Sequence, residues 1–312
     1  MERDAQAARD WPAEIAAARG RIAGHIRVTP VARLNLGGHA VEVKLEQMQL
    51  TGSFKARGAF NTLLSAEVPA GGVVAASGGN HGAAVGHAAS ALGHRAAIFV
   101  PGMAGPSKIA LIRRTGAECH VVPGAYADAL EAARAHEAAT GAMQVHAYDA
   151  PATVAGQGTV MAEWEEQGLD ADTVLIAVGG GGLIAGAMGW LGPRRKVVAV
   201  EPEGCAALHS ALAHGGPVDV EVGGIAANAL GARRIGEICF GLAQAHGIGS
   251  VLVPDAAIAA ARDLLWREAR MLVEPAGAAA LAALTSGAYV PAPGERVAIL
   301  VCGANPAPDP LG

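Results

Sequence analysis

The chain has 312 residues, enough for a large core and about two domains. It is 52% hydrophobic but only 4% aromatic, with alanine and glycine supplying much of the bulk, so its elements should pack closely. A formal net charge of −5 and the lack of any dense Lys/Arg run exclude the basic stripe of a nucleic-acid binder.

The N-terminus is charged and lacks the apolar run of a signal peptide. A helix is expected to about Gly20, with Ala and Ile on one face and Arg and Glu on the other. His25 to Val28 is a short extended piece broken by Thr29-Pro30, and Val41 to Leu45 alternates as a strand does. The stretch from Phe54 to Leu64 reads as a helix opening at Ser53, a good N-cap, which places Lys55 in the first turn. Gly71-Gly72 ends that unit. Strands are then expected at 73–76, 96–100, 119–122 and 144–147, with helices at 81–92, 107–115 and 125–139. Alternating strands and helices imply a parallel sheet covered on both faces. Residues 72–149 therefore read as a small substrate-side domain, and residues 1–71 with 150–312 as a larger cofactor-binding domain.

A helical pattern covers 153–167. Thr173 to Pro193 carries no charge and is long enough to span a bilayer. Four consecutive glycines make a poor continuous helix, however, and the segment reads as strand (174–178), loop and helix (183–191), not as a membrane span. A strand follows at 196–200, a helix at 205–213, irregular chain at 215–229 and a helix from about Arg233. Beyond these lie a strand at 251–253, helices at 256–270 and 277–284, a last strand at 297–301, and a loose tail after Pro306. Cys119, Cys205, Cys239 and Cys302 are scattered without a CxxC pair. They suggest neither a zinc site nor a disulfide framework, and they fit a reducing cytoplasm.

Two stretches carry chemistry. In Thr51-Gly52-Ser53-Phe54-Lys55-Ala56-Arg57-Gly58 a lysine is hemmed by small and apolar residues. A lysine in dry surroundings loses its proton more easily, and the positive end of a helix dipole disfavours its charge further. A neutral amine can form a Schiff base with an aldehyde. The run Gly179, Gly180, Gly181, Gly182, followed by Leu183, enters a helix. Glycines let main-chain N–H groups approach a phosphate closely, and the helix N-terminus adds a favourable field. The run is neither a GxGxxG fingerprint nor a P-loop. An amine nucleophile and a phosphate cradle together are what pyridoxal 5'-phosphate requires. Asn80 lies in a Gly-rich turn where its amide could reach the cofactor's phenolic oxygen. N–H groups around Ser77, Gly78, Asn80 and His81 could hold a substrate carboxylate. Phe54 reads as core packing or as a ring that steadies a flat cofactor, and Cys302 by default as a small buried hydrophobe.

With TGSFKARGAFN at 51–61, SGGNHG at 77–82, AGQGT at 155–159, VGGGGLIAG at 178–186, VEPEG at 200–204, EPAGA at 274–278 and VCGAN at 301–305, the chain resembles the fold-type II (tryptophan synthase β-like) pyridoxal-phosphate enzymes. Within them it resembles the serine/threonine dehydratase, or ammonia-lyase, branch, from about Arg27 to Asn305. The resemblance implies two α/β domains, each an open, mostly parallel twisted sheet flanked by helices, and a homodimer. It implies that Lys55 carries the cofactor as a Schiff base and removes the substrate's α-proton, and that the leaving hydroxyl is protonated through the cofactor phosphate. Phe54 would pack on the ring, Asn80 would touch the phenolic oxygen, and Gly179 to Leu183 would bind phosphate. Cys302 would face the pyridine nitrogen where many relatives have serine. The implied reaction is α,β-elimination of L-serine, L-threonine or a related β-hydroxy amino acid to a 2-oxo acid and ammonia.

Departures from the family pattern bear on the alternatives. Serine racemases of the family carry a serine where Gly78 stands, so racemisation is disfavoured. Their metal site uses a glutamate at the position of Glu201 and an aspartate where this chain has Ala207, so no metal is expected. A hydroxyaspartate racemase-dehydratase would need an added cation. Cysteine synthase relatives, which perform β-replacement, usually have threonine where His81 stands. Ala227 and Asn228 depart from the dehydratase pattern and leave substrate preference open, and Tyr148 is a departure that could line the site. The chain ends with the catalytic portion, so no amino-acid-sensing domain is expected. A non-catalytic ligand-binding protein would have no use for Lys55.

Overall fold

The structure is a computed structural model that describes residues 9–306. The first eight residues of the expected opening helix and the tail after Pro306 lie outside the described residues. Helix α1 (Trp11–Ile22) starts where the Asp10 side chain accepts from the Ala13 N–H at 3.1 Å. Trp11, Ile15, Ala18 and Ile22 recur at helical spacing and form its buried stripe. Strands β1 (Val31–Leu36) and β2 (His39–Leu45) form an antiparallel hairpin. Strand β1 goes beyond the sequence reading, which stopped its extended piece at Pro30. The sign was the two-residue turn Gly37-Gly38, whose positive φ angles of 58° and 84° suit a tight hairpin.

Helix α2 (Lys55–Leu64) leads into a strand–helix alternation: β3 (Val73–Ala76), α3 (Asn80–Ala91), β4 (Ala96–Pro101), α4 (Pro106–Arg113), β5 (Glu118–Val122), α5 (Tyr126–Thr140) and β6 (Met143–Gln144). These strands make a parallel four-stranded sheet in the order β5-β4-β3-β6. Next come α6 (Pro151–Glu166), β7 (Thr173–Ala177), α7 (Gly182–Leu191), β8 (Lys196–Pro202), α8 (Ala207–His214), α9 (Ala227–Leu230), α10 (Glu237–His246), β9 (Ser250–Val253), α11 (Asp255–Ala269), α12 (Pro275–Thr285) and β10 (Val297–Val301). The second sheet has six strands in the order β1-β2-β10-β7-β8-β9, parallel except for the first pair. Its central strands β7 and β10 are buried throughout and almost wholly apolar because helices cover both faces. The uncharged run from Thr173 to Pro193 is thus β7, a glycine loop and α7, and no helix among the described residues is long and apolar enough to cross a membrane.

The small residues do what their abundance suggests. Helices α6 and α7 meet where a Cβ on Gly186 would stand 2.4 Å from the Gly158 nitrogen, an approach open only to glycine. Helix α2 belongs to the core of the four-stranded unit: Ala56, Ala59, Phe60 and Leu63 pack with Val73, Ala75 and Ile98. Its other side is fixed by a buried ion network. Arg57 donates to both oxygens of Glu46 at 2.7 and 2.8 Å and lies 3.0 Å from Glu163. Glu163 in turn accepts from Lys44 at 2.6 Å. Removing one partner strands a buried charge, so Arg57→Met is expected to destabilise the apo-protein by about 3–5 kcal/mol in urea unfolding. A loss below about 1 kcal/mol, the usual limit for surface pairs, would contradict this.

Candidate active site

The two sheets present the carboxyl ends of their strands to a common region, where ligands bind in open α/β sheets. Neighbouring strands β10 and β7 run parallel, so Cys302 and the glycine run leave the sheet side by side. The turn before Lys55 is stitched to the first of these exits. Ala304 N–H donates to Gly52 O at 2.8 Å, Phe54 N–H to Cys302 O at 3.2 Å, and Ser53 bridges Gly303.

Ser53 is not the helix cap expected of it. Its backbone is extended to reach Gly303, its hydroxyl is buried with no partner among the described residues, and the cap position falls to Phe54. Lys55 still occupies the first helical position. Its Nζ donates to Ala147 O at 2.7 Å and stands 5.1 Å from the Phe54 ring centroid. Burial pushes the ammonium down to about 8, with Cys302 working weakly the other way. Below that pH the amine is charged, and above it the amine is free to attack a carbonyl. The rate at which Lys55 captures an added aldehyde should therefore rise through a midpoint near pH 8. A stopped-flow profile with the midpoint near about 10.4, the value of an exposed lysine, would contradict the burial argument.

Ala147 is followed by Tyr148, and Tyr148 leans on the glycine run. A Cβ on Gly180 would stand 2.2 Å from its ring, and one on Gly182 2.9 Å from its Cα. One segment thus touches the Lys55 amine with its carbonyl and the glycines with its next side chain. Gly181 has φ 94° and caps α7. Among the described residues the N–H groups of Gly179, Gly180 and Gly181 donate to no main-chain acceptor. The first N–H groups of α7, Leu183 among them, have no intrahelical acceptor either. Orphaned donors at a helix N-terminus, on a loop without side chains, fit a phosphate. With the enclosed amine alongside, the residues present fit pyridoxal phosphate.

Asn80 begins α3 rather than sitting in the turn before it. Its amide is held from both ends: Nδ2 donates to Glu274 Oε1 at 2.6 Å, and Oδ1 accepts from Asn305 Nδ2 at 2.8 Å. Asn305 also donates to Thr51 O at 2.7 Å, which closes the ring of contacts back to the lysine turn. Glu274 is buried, and desolvation pushes its carboxyl up to about 7 against the Asn80 hydrogen bond. Cys302 is buried with its thiol 3.4 Å from Ala276 O, and burial pushes that thiol well above its ordinary range.

Ser77 Oγ accepts from Gly79 N–H at 3.2 Å, so its hydroxyl serves its own loop. His81 Nε2 lies 2.9 Å from Val145 O and donates to it, and burial holds the ring neutral by pushing it down to about 3. Ser77 N–H donates to Phe99 O at 2.9 Å, so what these two residues leave for a ligand is the Ser77 hydroxyl hydrogen and the His81 main-chain N–H at the start of α3. A Cβ on Gly78 would stand 2.6 Å from the Ala104 methyl, which fills the space a serine would need. At Glu201 both carboxylate oxygens accept main-chain N–H groups at the start of α8, from Leu208 at 2.7 Å and His209 at 2.8 Å, and Ser250 adds a third bond.

Sequence reasoning gave no role to Glu274, Asn305, Lys108 or the Ala147 carbonyl. Glu274 and Asn305 lie within motifs quoted above, but nothing local marks them as partners of Asn80.

Residues 22–303 match the family described as pyridoxal-phosphate dependent enzyme. The chain is 37% identical over 300 residues to a phenylserine dehydratase of Ralstonia pickettii, covering 93% of this chain and 92% of that one. Among solved structures it is similar to a threonine deaminase from T.th., at 34% identity and a TM-score of 0.87, over 95% of this chain and 99% of that one. It is also similar to maize serine racemase, at 29% identity and a TM-score of 0.89, over 94% and 93% of the two chains.

Proposed function

The chain belongs to the pyridoxal-phosphate dependent enzyme family, and from that premise we propose that it is an ammonia-lyase. It converts L-serine, L-threonine or a related β-hydroxy amino acid to a 2-oxo acid and ammonia. The observation that carries this reading is the enclosed Lys55 amine, joined through Ala147 and Tyr148 to a glycine run with unspent N–H groups.

When bound, pyridoxal phosphate supplies the electron sink that makes the substrate's α-proton removable. Lys55 Nζ takes that proton, oriented by Ala147 O and with a free-amine fraction that burial enlarges by lowering its pKa to about 8. Gly179 to Leu183 hold the phosphate through N–H groups. Asn80, pinned by Glu274 and Asn305, keeps one amide hydrogen that would serve the phenolic oxygen, and the Phe54 ring would steady the flat cofactor. The main-chain N–H groups of Gly78, Asn80 and His81, with the Ser77 hydroxyl hydrogen, receive the substrate carboxylate, since the Ser77 and Gly79 N–H groups are spent on Phe99 O and Ser77 Oγ. Cys302 remains a neutral thiol, so it offers no counter-charge to a protonated pyridine nitrogen. With the cofactor bound, that neutral partner would favour loss of the β-hydroxyl over racemisation or transamination. The Ala104 methyl against Gly78 supports the same choice, since a proton-donating serine has no room there.

Serine, threonine and phenylserine differ only beyond the β-carbon, and one methyl is worth about 1–3 kcal/mol of discrimination. Incubating the holo-protein with each and measuring 2-oxo acid is the direct test. Release from at least one is expected, and none from any, with cofactor bound, would overturn the reading. We further place the protein in the cytoplasm, supported by four free cysteines, and as a homodimer, supported by the resemblance.

A further inference from the structure

Lys108 lies on α4, only 6% exposed. A buried ammonium is costly unless an anion meets it. Among the described residues Lys108 has one hydrogen bond, a long one of 3.4 Å from Nζ to the main-chain oxygen of Asn228 on α9, and no carboxylate within ion-pair distance. Burial lowers its pKa, and the charge of Glu274 opposes that. The amine is aimed at a particular place: Nζ stands 3.8 Å from where a Cβ on Gly79 would be. Gly79 is the cap residue of α3, whose first N–H groups have no intrahelical acceptor. An anion seated on that helix start would therefore have main-chain donors on one side and the Lys108 amine on the other. Glu274 is occupied by Asn80 and lies outside ion-pair distance of Lys108, so it does not supply the missing partner.

We propose that Lys108 is the cationic half of the receptor for the substrate's α-carboxylate, completing the N–H groups at the start of α3. This rests on the lyase reading and adds to it a residue that selects amino acids over their uncharged derivatives. The contact from α4 across to Asn228 also places the receptor between the two sheet units, where a carboxylate is enclosed when it binds.

The test is a binding comparison on the holo-protein, with L-alanine and L-alaninamide as ligands. Neither has a β-leaving group, and both are read by the change in cofactor absorbance. Lys108→Met is expected to weaken L-alanine by about 10- to 100-fold, the factor a lost charge-assisted hydrogen bond carries. L-alaninamide should change by less than about 3-fold, within the range of surface substitutions. Lys108→Arg should recover part of the L-alanine affinity. If methionine is not tolerated, Lys108→Gln, which keeps a donor and drops the charge, carries the same two expectations. Equal weakening of both ligands, or no weakening of L-alanine, overturns the proposal. A wild-type protein that discriminates the two ligands through Lys108 but releases no 2-oxo acid sinks the lyase reading and supports this one.

Discussion

Lys55→Ala is expected to lower 2-oxo acid release by about 10⁴-fold or more while the protein still takes up pyridoxal phosphate. A positioned base alone contributes about 10²- to 10⁴-fold, and the variant loses the covalent anchor as well. Cofactor uptake persists because the phosphate donors belong to a different element, the Gly179–Gly182 loop ahead of α7. Helix α2 should keep its place, since Arg57 and Phe60 fix it from opposite sides and neither touches the substituted side chain. The absorbance of the bound cofactor should shift to that of the free aldehyde. Lys55→Arg, which keeps the charge and length but cannot condense with an aldehyde, should be equally inactive. Turnover in either variant within 10-fold of wild type, a margin of about 1.4 kcal/mol, would remove Lys55 from the chemistry.

The second large effect is expected at Gly181. A Cβ there would stand 2.5 Å from Cys239 Sγ, in a residue whose φ is 94°. Overpacking a filled core costs about 1–3 kcal/mol, and a side chain in the left-handed region adds about 1–2 kcal/mol. Gly181→Ala should therefore lose stability and also turn the loop's donors out of line, so cofactor affinity falls with it. Gly180→Ala separates the two effects. The nearest atoms to its Cβ belong to the Tyr148 ring, at 2.2 Å, with no positive φ to strain it. Trimming that ring in Gly180→Ala/Tyr148→Ala should restore much of the lost cofactor affinity. Cofactor titrations of the three variants, with urea unfolding alongside, read both quantities. Wild-type affinity in Gly181→Ala would show that the glycines serve only as a turn.

Those two positions were legible in the sequence because their signals are local. A lysine among small residues at a helix start and a glycine run between strand and helix each fit in a single short stretch. The alternation from Val73 to Gln144 was equally readable, since buried parallel strands are short apolar runs. Long-range pairing was not readable. Asn80 meets Glu274 across 194 positions and Asn305 across 225, contacts that exist only once the chain ahead of α12 and the chain after β10 reach the start of α3. Lys108 has the same character, an ordinary helical lysine until the fold buries it over Gly79. The cap at Ser53 failed for a related reason: a tertiary bridge to Gly303 outweighed the local preference of serine for a helix start.

Borohydride reduction of the holo-protein, followed by peptide mass mapping, tests the assignment of the amine most directly. The expected result is a single pyridoxyl group on the peptide that contains Lys55, present only when cofactor was bound before reduction. A pyridoxyl group on Lys44, Lys108 or Lys196 instead, or none on a protein that had bound the cofactor, would contradict it.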